Sequence, residues 1–460
     1  MQMMQLRPYQ NKAITDLREA FAKKYKKVLF VLPTGGGKTF TFTWMAKSAQ
    51  AKGLRVWVLA HRDSLIRQAS AAFGQFEIEH GIIKSGYPKT DSDVQICSVQ
   101  TVVNRLDAVA APDLIIIDEA HHAVAGQWQQ VINHYPSAFV LGVTATPCRT
   151  DGRGLSDVFD IMIEGPSIQD LIGMGFLVTP ELYAPPMKVD LSGVSTSMGD
   201  FNKKQVAVAM DRPHITGDAV QHYRDLCDGV PAVAFCINVK HAHNVAAEFR
   251  AAGYSAEAID GTMHIDHINQ VLADLGSGKV QIVASCDLIS EGTDIPKIGA
   301  AILLRPTHSE GLYLQQVGRA LRPSEGKDSA IILDHVGNWK RHGLPTDLRD
   351  WQLTAKAKKV RKGQTEATIR VINCPKCFNV FTPAPACPCC GHNVKAKVRE
   401  LQQKEGQLVK ITPEQKRQQM KDNRKEEGQC RTLQDWIRLA NKRGHKIGWA
   451  YMRYNLRQKR

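Results

Sequence analysis

The segment Pro33-Thr34-Gly35-Gly36-Gly37-Lys38-Thr39 lies between an apolar run, Val28–Leu32, and a helical stretch over 38–52. Glycines there let backbone N–H groups wrap a phosphate, and the following helix N-terminus adds positive potential. In such a loop Lys38 reaches the β- and γ-phosphates of a nucleotide and Thr39 holds Mg²⁺. The usual leading glycine is replaced by Leu32. Eighty positions after Lys38, Ile115-Ile116-Ile117-Asp118-Glu119-Ala120-His121 reads as a buried strand ending in two adjacent acids. Asp118 can hold Mg²⁺ through water, and Glu119 can activate the water that attacks a γ-phosphate. A third chemical cluster is Cys374-Pro375-Lys376-Cys377, nine residues, then Cys387-Pro388-Cys389-Cys390-Gly391. Two CxxC knuckles at this spacing offer four thiolates (Cys374, Cys377, Cys387, Cys390) to a structural Zn²⁺, with Cys389 inside the second knuckle as a non-ligand. So short a loop holds too few apolar residues for a core, so the metal should drive its folding.

The elements that must position these groups follow from apolar runs. Val28–Leu32, Arg55–Ala60, Val94–Val99, Leu114–Ile117 and Phe139–Val143 read as strands, with helices over 38–52 and from the second strand to about 73. Continuous apolar strands alternating with helices imply a parallel sheet covered on both faces. After a less regular stretch the alternation restarts: Ala232–Ile237, Ser255–Ile259, Val280–Ala284, Ala300–Leu304 and Ala330–Leu333 as strands, with helices through about 252 and near 266–276. The fold class is α/β, with two doubly wound parallel-sheet domains in tandem. The expected organisation is 1–165 for the first domain, 166–212 as a connector and 213–345 for the second. A basic linker over 346–372, a zinc ribbon over 373–392 and a basic, partly helical region over 393–460 complete it.

Charge separates the same regions. The chain of 460 residues carries +15, yet residues 351–460 hold 26 Lys+Arg against 8 Asp+Glu, while residues 1–350 hold 34 against 37. The first part is a near-neutral enzyme, and the basic excess marks a polyanionic partner for the last quarter. No apolar run is long enough for a transmembrane helix, the first residues do not read as a secretory signal, and the clustered cysteines point to metal in a cytoplasmic chain.

The order of these motifs resembles that of superfamily 2 DEAH-box helicases, with RecA-like domains, and covers roughly residues 3–345. Leu6-Arg7-Pro8-Tyr9-Gln10 resembles the adenine-reading element, which implies Arg7 and Gln10 on the base, beside Thr34, Gly35, Gly36, Gly37, Lys38, Thr39 and Asp118 on the phosphates and metal. Leu59-Ala60-His61-Arg62 and Ser98-Val99-Gln100-Thr101 match motifs Ia and Ib, implying nucleic-acid contact through His61, Arg62, Gln100 and Thr101. Thr144-Ala145-Thr146-Pro147 matches motif III, which with His121 links hydrolysis to movement. Ser290–Pro296 matches motif V, with Gly292 and Asp294 toward the nucleotide, and Gln315–Arg322 matches motif VI. Arg319 and Arg322 lie three apart, share one helix face and act as arginine fingers from the second domain, with Gln315 beside them. Residues 302–307, 312–316 and 332–338 are similar to RadD-like bacterial repair helicases and to phage and prophage helicases that carry a zinc module after the core.

The resemblance implies ATP and Mg²⁺ as substrate and cofactor, and single-stranded or forked DNA as partner, in phage or bacterial replication, recombination or repair. RNA is an alternative; Gln315 in place of the His-Arg start of many RNA helicases favours DNA. Translocation on duplex without unwinding also fits these motifs. So does an ATP-switched adaptor that recruits a single-strand-binding protein or polymerase through the ribbon and tail. The tail would hold DNA through sequence-independent, salt-sensitive contacts. His122, His241, His243, His264 and His267 read as surface or core histidines, Cys97, Cys148, Cys227, Cys236 and Cys286 as ordinary thiols, and Trp436, Trp449, Tyr451 and Tyr454 as a small helical core rather than a base-stacking platform.

Overall fold

The structure, a computed structural model, describes residues 5–148, 154–184, 196–197, 200–202, 213–286, 288–289, 295–354, 372–382, 384–393, 426–442, 450–451 and 453–455. Residues 1–395 form one compact unit and residues 396–460 a second.

The first lobe is a seven-stranded, all-parallel sheet in the order β3-β4-β2-β5-β6-β1-β7. Its strands are β1 (Lys27–Val31), β2 (Val56–Ala60), β3 (Gly81–Ile83), β4 (Val94–Ser98), β5 (Leu114–Asp118), β6 (Phe139–Thr144) and β7 (Ile161–Glu164). Side chains alternate across the sheet, as the two-residue strand period demands. Val28, Phe30, Val56, Val58, Leu114 and Ile116 enter the apolar cluster on one face. Leu29, Val31, Trp57, Leu59, Ile115 and Ile117 enter the cluster on the other. Both faces are dry, which is why these strands read as unbroken apolar runs; each such Val, Leu or Ile contributes about 1.5–3 kcal/mol by its burial. The covering helices include α1 (Pro8–Ala22), α2 (Lys38–Gln50), α3 (Asp63–Gln75), α4 (Val99–Val102) and α5 (Gly126–His134). α1 opens with Pro8 at its first turn and buries Tyr9, Ala13, Ile14, Leu17 and Ala20 along one stripe.

The stretch expected as a connector contributes α6 (Ile168–Gly173) and then β8 (Thr179–Tyr183), an edge strand of the second sheet. That sheet is six-stranded and parallel, in the order β12-β13-β11-β14-β15-β8. Short pairs β9 (Thr196–Ser197) and β10 (Asp200–Phe201) precede α7 (Pro213–Cys227), β11 (Ala232–Phe235), α8 (Val239–Ala251), β12 (Ala256–Ile259), α9 (Ile265–Ser277), β13 (Ile282–Ser285), β14 (Ala300–Leu303), α10 (Glu310–Ala320), β15 (Ser329–Asp334) and α11 (Asn338–His342). The two lobes are RecA-like sheets in tandem, as expected. Among the described residues no helix is long and apolar enough to cross a membrane.

The cysteine segment is a small antiparallel pair, β16 (Ile372–Asn373) and β17 (Val380–Phe381). It docks on the free side of β8: Ala184 N–H donates to the Phe378 carbonyl (3.0 Å), Asn373 Nδ2 donates to the Ala184 carbonyl (2.6 Å), and Val380 joins the lobe's apolar core. The ribbon thus covers a sheet edge that would otherwise present unpaired main-chain groups. In residues 396–460, α12 (Leu433–Lys442) packs Trp436, Leu439 and Ala440 with Cys430 and Ala450 into a small core, with Tyr454 against it. Tyr451 is exposed, and Trp449 lies outside the described residues.

Candidate functional site: a cleft between two parallel sheets

The chemistry-bearing loops of the first lobe all leave the C-terminal ends of neighbouring strands, where doubly wound sheets bind ligands. The phosphate loop follows β1, Thr144 and Thr146 close β6, and Asp118-Glu119 close β5, with β6 lying between the other two. Gly35 (φ 84°) and Gly37 (φ 86°) take left-handed conformations, which L side chains rarely adopt. Tyr9 Oη donates to the Gly36 carbonyl (2.7 Å) and Gln10 Nε2 to the Gly37 carbonyl (3.3 Å), so α1 braces the loop from outside. Gln10 Oε1 meanwhile accepts from the Arg7 N–H (2.9 Å). One end of the Gln10 amide therefore caps α1 and the other braces the loop, and its side chain borders the nucleotide-sized cavity described below.

Glu119 is a buried non-glycine residue at φ 51°, ψ 53°. An L residue held there is strained, the kind of backbone that surrounding contacts must enforce. Its N–H donates to Asp118 Oδ1 (3.0 Å). His121 Nδ1 lies 3.4 Å from Glu119 Oε2 and 3.2 Å from Thr144 Oγ1. Thr144 Oγ1 in turn accepts from the Thr146 N–H (3.2 Å). The acids after β5 and the turn after β6 form one hydrogen-bonded unit.

The second lobe reaches this unit through α10. Gln315 Nε2 lies 3.5 Å from Glu119 Oε2. A β-carbon at Gly318 would fall 2.6 Å from Thr34 Cβ, and one at Gly311 would fall 2.7 Å from Thr146 Oγ1. Gly311, Gln315 and Gly318 share one helix face, and the glycines let that face touch the first lobe. α10 ends at Ala320, so Arg322 does not share a helix face with Arg319 as the spacing predicts; it lies past the helix C-terminus and arrives over the loop from there, with its Cγ 3.5 Å from where a Gly35 β-carbon would sit. Lys327, which the sequence does not single out, donates from Nζ to the carbonyls of Arg322 (2.6 Å), Ile298 (2.6 Å) and Pro296 (3.1 Å), tying Arg322 to the segment after motif V. Burial and the nearby Arg322 charge push the Lys327 ammonium down to about 8.

Together these residues enclose a cavity of about 1310 Å³. Its lining includes Arg7, Gln10, Thr34, Lys38, Thr39, Asp118, Glu119, Arg319 and Arg322 from the expected set, with Gly35 and Gly37, and adds Phe176. Arg7 lies over the Phe176 ring (4.2 Å), and Tyr9 meets the same ring edge-on (5.4 Å). Burial lowers the Lys38 ammonium; Glu119 and Asp118 pull it back up, while Arg319 and Arg322 push it down. Three cations therefore face two carboxylates, a balance that a polyphosphate with a divalent cation would complement. Gly292 and Asp294 lie outside the described residues.

His61, Arg62, Gln100 and Thr101 follow β2 and β4, beside the cleft strands. Gln100 Nε2 donates to the His61 carbonyl (3.1 Å), which ties the two loops together. At the ribbon, the Sγ atoms of Cys374, Cys377, Cys387 and Cys390 all lie within 4.8 Å of one another, with the pairs Cys374–Cys390 and Cys377–Cys387 at 3.6 Å. Tetrahedral thiolates about 2.3 Å from Zn²⁺ stand roughly 3.8 Å apart, so the set fits that ion. Cys389 is exposed and points away to Tyr183 Oη (3.7 Å).

Residues 3–149 match the family model "Type III restriction enzyme, res subunit", and residues 219–324 match "Helicase conserved C-terminal domain". A 51.5 kDa protein of Lactococcus phage (isolate 7-9) is 33% identical over 395 residues, covering 84% of each chain. The chain belongs to the superfamily 2 helicases of this restriction-subunit type. IRC3 of Saccharomyces cerevisiae, which bears the name of an ATP-dependent helicase, is 28% identical over 355 residues, 72% of this chain. The chain spans only about half, 51%, of that relative's length. Among solved structures, the DNA-bound Type ISP restriction-modification enzyme LlaBIII superposes with a TM-score of 0.54 at 18% identity, over 72% of this chain and 27% of the other, a likeness of fold. In this helicase the matched segments carry both faces of the cleft.

Proposed function

We propose that this helicase hydrolyses ATP in the cleft between its lobes and uses the cycle to move along or separate strands of DNA. The observation that carries the reading is the contact of α10 and the turn after it with the loop and acids of the first lobe: Gln315 on Glu119, Gly318 on Thr34, and Arg319, with Arg322 from beyond the helix, around Lys38. Arg7 and Gln10 hold the adenine end, with Phe176 as an added face. The loop 34–39 cradles the phosphates, with Lys38 on the β- and γ-oxygens. Thr39 and Asp118 would hold Mg²⁺, which when bound offsets phosphate charge. Glu119 accepts a proton from the water that attacks the γ-phosphorus, as the bond to the bridging oxygen breaks and ADP departs. Arg319 and Arg322 stabilise the charge of that transition state, and do so only while the lobes are together. His121, Thr144 and Thr146 pass the change to the rest of the first lobe.

His61, Arg62, Gln100 and Thr101 contact the nucleic-acid backbone, which positions the motor without reading sequence. DNA is the track; the LlaBIII neighbour is described as bound to DNA. The ribbon holds structural Zn²⁺ through Cys374, Cys377, Cys387 and Cys390, and the basic region beyond 393 adds salt-sensitive affinity. The test is ATP hydrolysis measured with single-stranded, duplex and forked DNA and with RNA, at low and high salt. DNA should stimulate turnover most, and Lys38→Ala or Glu119→Gln should abolish it. Robust hydrolysis by both variants refutes the site, and stimulation by RNA alone refutes the track.

A further inference from the structure

One histidine unused by this mechanism joins its two halves. The strand β5 ends in a single 3₁₀ turn, Ala120–His122, entered from the strained Glu119. His121 faces Glu119 and Thr144, as described. The His122 ring lies against the His121 ring (centroids 4.2 Å apart, planes at 42°) and also meets the His61 ring edge-on (4.5 Å, 62°). The His61 ring in turn stands 6.3 Å from Trp128 of α5, and its carbonyl is held by Gln100. Three imidazoles thus form a packed row from the loops after β2 and β4 to the carboxylate of Glu119.

We propose that His122 is a positioning residue that couples nucleic-acid contact at His61 and Gln100 to the placement of Glu119. The inference rests on the function proposed above. Gripping a backbone phosphate shifts the loop carrying His61. Its ring presses on His122, His122 presses on His121, and His121 sets the carboxylate. The three side chains are half-buried, and rings already in contact at 4.2 and 4.5 Å between centroids leave little room for one to move without displacing the next. Glu119 is a suitable receiver because its left-handed backbone is held by its neighbours rather than by its own preference. A chain of contacts becomes coupling only if both ends bias it, so the test must read coupling and not activity alone.

The experiment measures ATP turnover by the full chain with and without saturating single-stranded DNA, DNA affinity by fluorescence anisotropy, and melting temperature. It compares wild type, His122→Ala and His122→Phe. His122→Ala should cut the ratio of stimulated to unstimulated turnover by about fivefold or more, with affinity and melting unchanged. His122→Phe, which keeps a ring in the row, should hold the ratio within about twofold of wild type. A wild-type ratio in His122→Ala, an equal defect in His122→Phe, or a loss of ratio matched by lost DNA affinity overturns the coupling role while leaving the proposed function intact. A wild type that no nucleic acid stimulates overturns the proposed function, and the coupling role with it.

Discussion

The nucleotide cleft and the four-cysteine ribbon are both dense clusters of polar groups, built in opposite ways. The cleft gathers Arg7, Lys38, Glu119, Phe176 and Arg322 from distant parts of the chain and from both lobes. The ribbon draws all four thiols from residues 374–390 and fastens itself beside β8 through the Ala184 main chain, the Asn373 amide and Val380. The cleft exists only where the two sheets face each other, and it sets three cations against two carboxylates. The ribbon's ligand set comes from its own loop, and its position beside β8 makes it a brace for that sheet edge.

If this contrast is right, substitutions in the cleft should stop hydrolysis without melting the protein, and those in the ribbon should do the reverse. Among substitutions that leave every polar group of the cleft in place, the largest effect is expected at Gly318→Ala. Alanine favours a helix over glycine by about 1 kcal/mol, yet its methyl would collide with Thr34, so turnover should fall about 100-fold while the helix is no weaker. Gly276→Ala on α9 is the control, since its added carbon meets only Ile295 at 3.6 Å. Steady-state kinetics and thermal melting of both variants decide this. Next, Cys374→Ser should lose stoichiometric zinc, measured with a chromogenic chelator, and lower the melting temperature by roughly 5 °C as the edge of β8 is uncovered. A ribbon variant that melts like wild type would mean the ribbon is not a brace. The smallest effect is expected at Phe176→Ala, which removes a ring from the adenine end: KM for ATP should rise about tenfold with kcat nearly unchanged. An unchanged KM would place the base elsewhere.

How much of this is readable from the residues alone differs between the same two regions. Strands buried on both faces announce themselves by unbroken apolar runs, which is why β1, β2, β5 and β6 sit within a residue or so of their expected spans. β8 is hidden because Thr179-Pro180-Glu181-Leu182-Tyr183 mixes a proline and an acid into a half-buried edge, where both are tolerated. β3 is hidden by its length of three residues. The residue types of the cleft follow from motif chemistry, but Phe176 is a lone aromatic after Gly175, and only the fold brings it to Arg7. The ribbon's ligands are plain from two CxxC spacings, whereas its seat beside β8 rests on the Ala184 main chain, one asparagine and one valine, too few residues to leave a pattern in the sequence. The glycines of α10 carry no signal either, because their role is the absence of a side chain at a contact between lobes.

The central claim is that the second lobe supplies groups to chemistry held by the first. ATP hydrolysis by Arg319→Ala beside wild type, with and without single-stranded DNA and with ATP binding measured separately, tests it most directly. The account predicts a DNA-stimulated rate in wild type and a loss of about 1000-fold or more in the variant, with ATP still bound. A variant that hydrolyses ATP at the wild-type rate would contradict it.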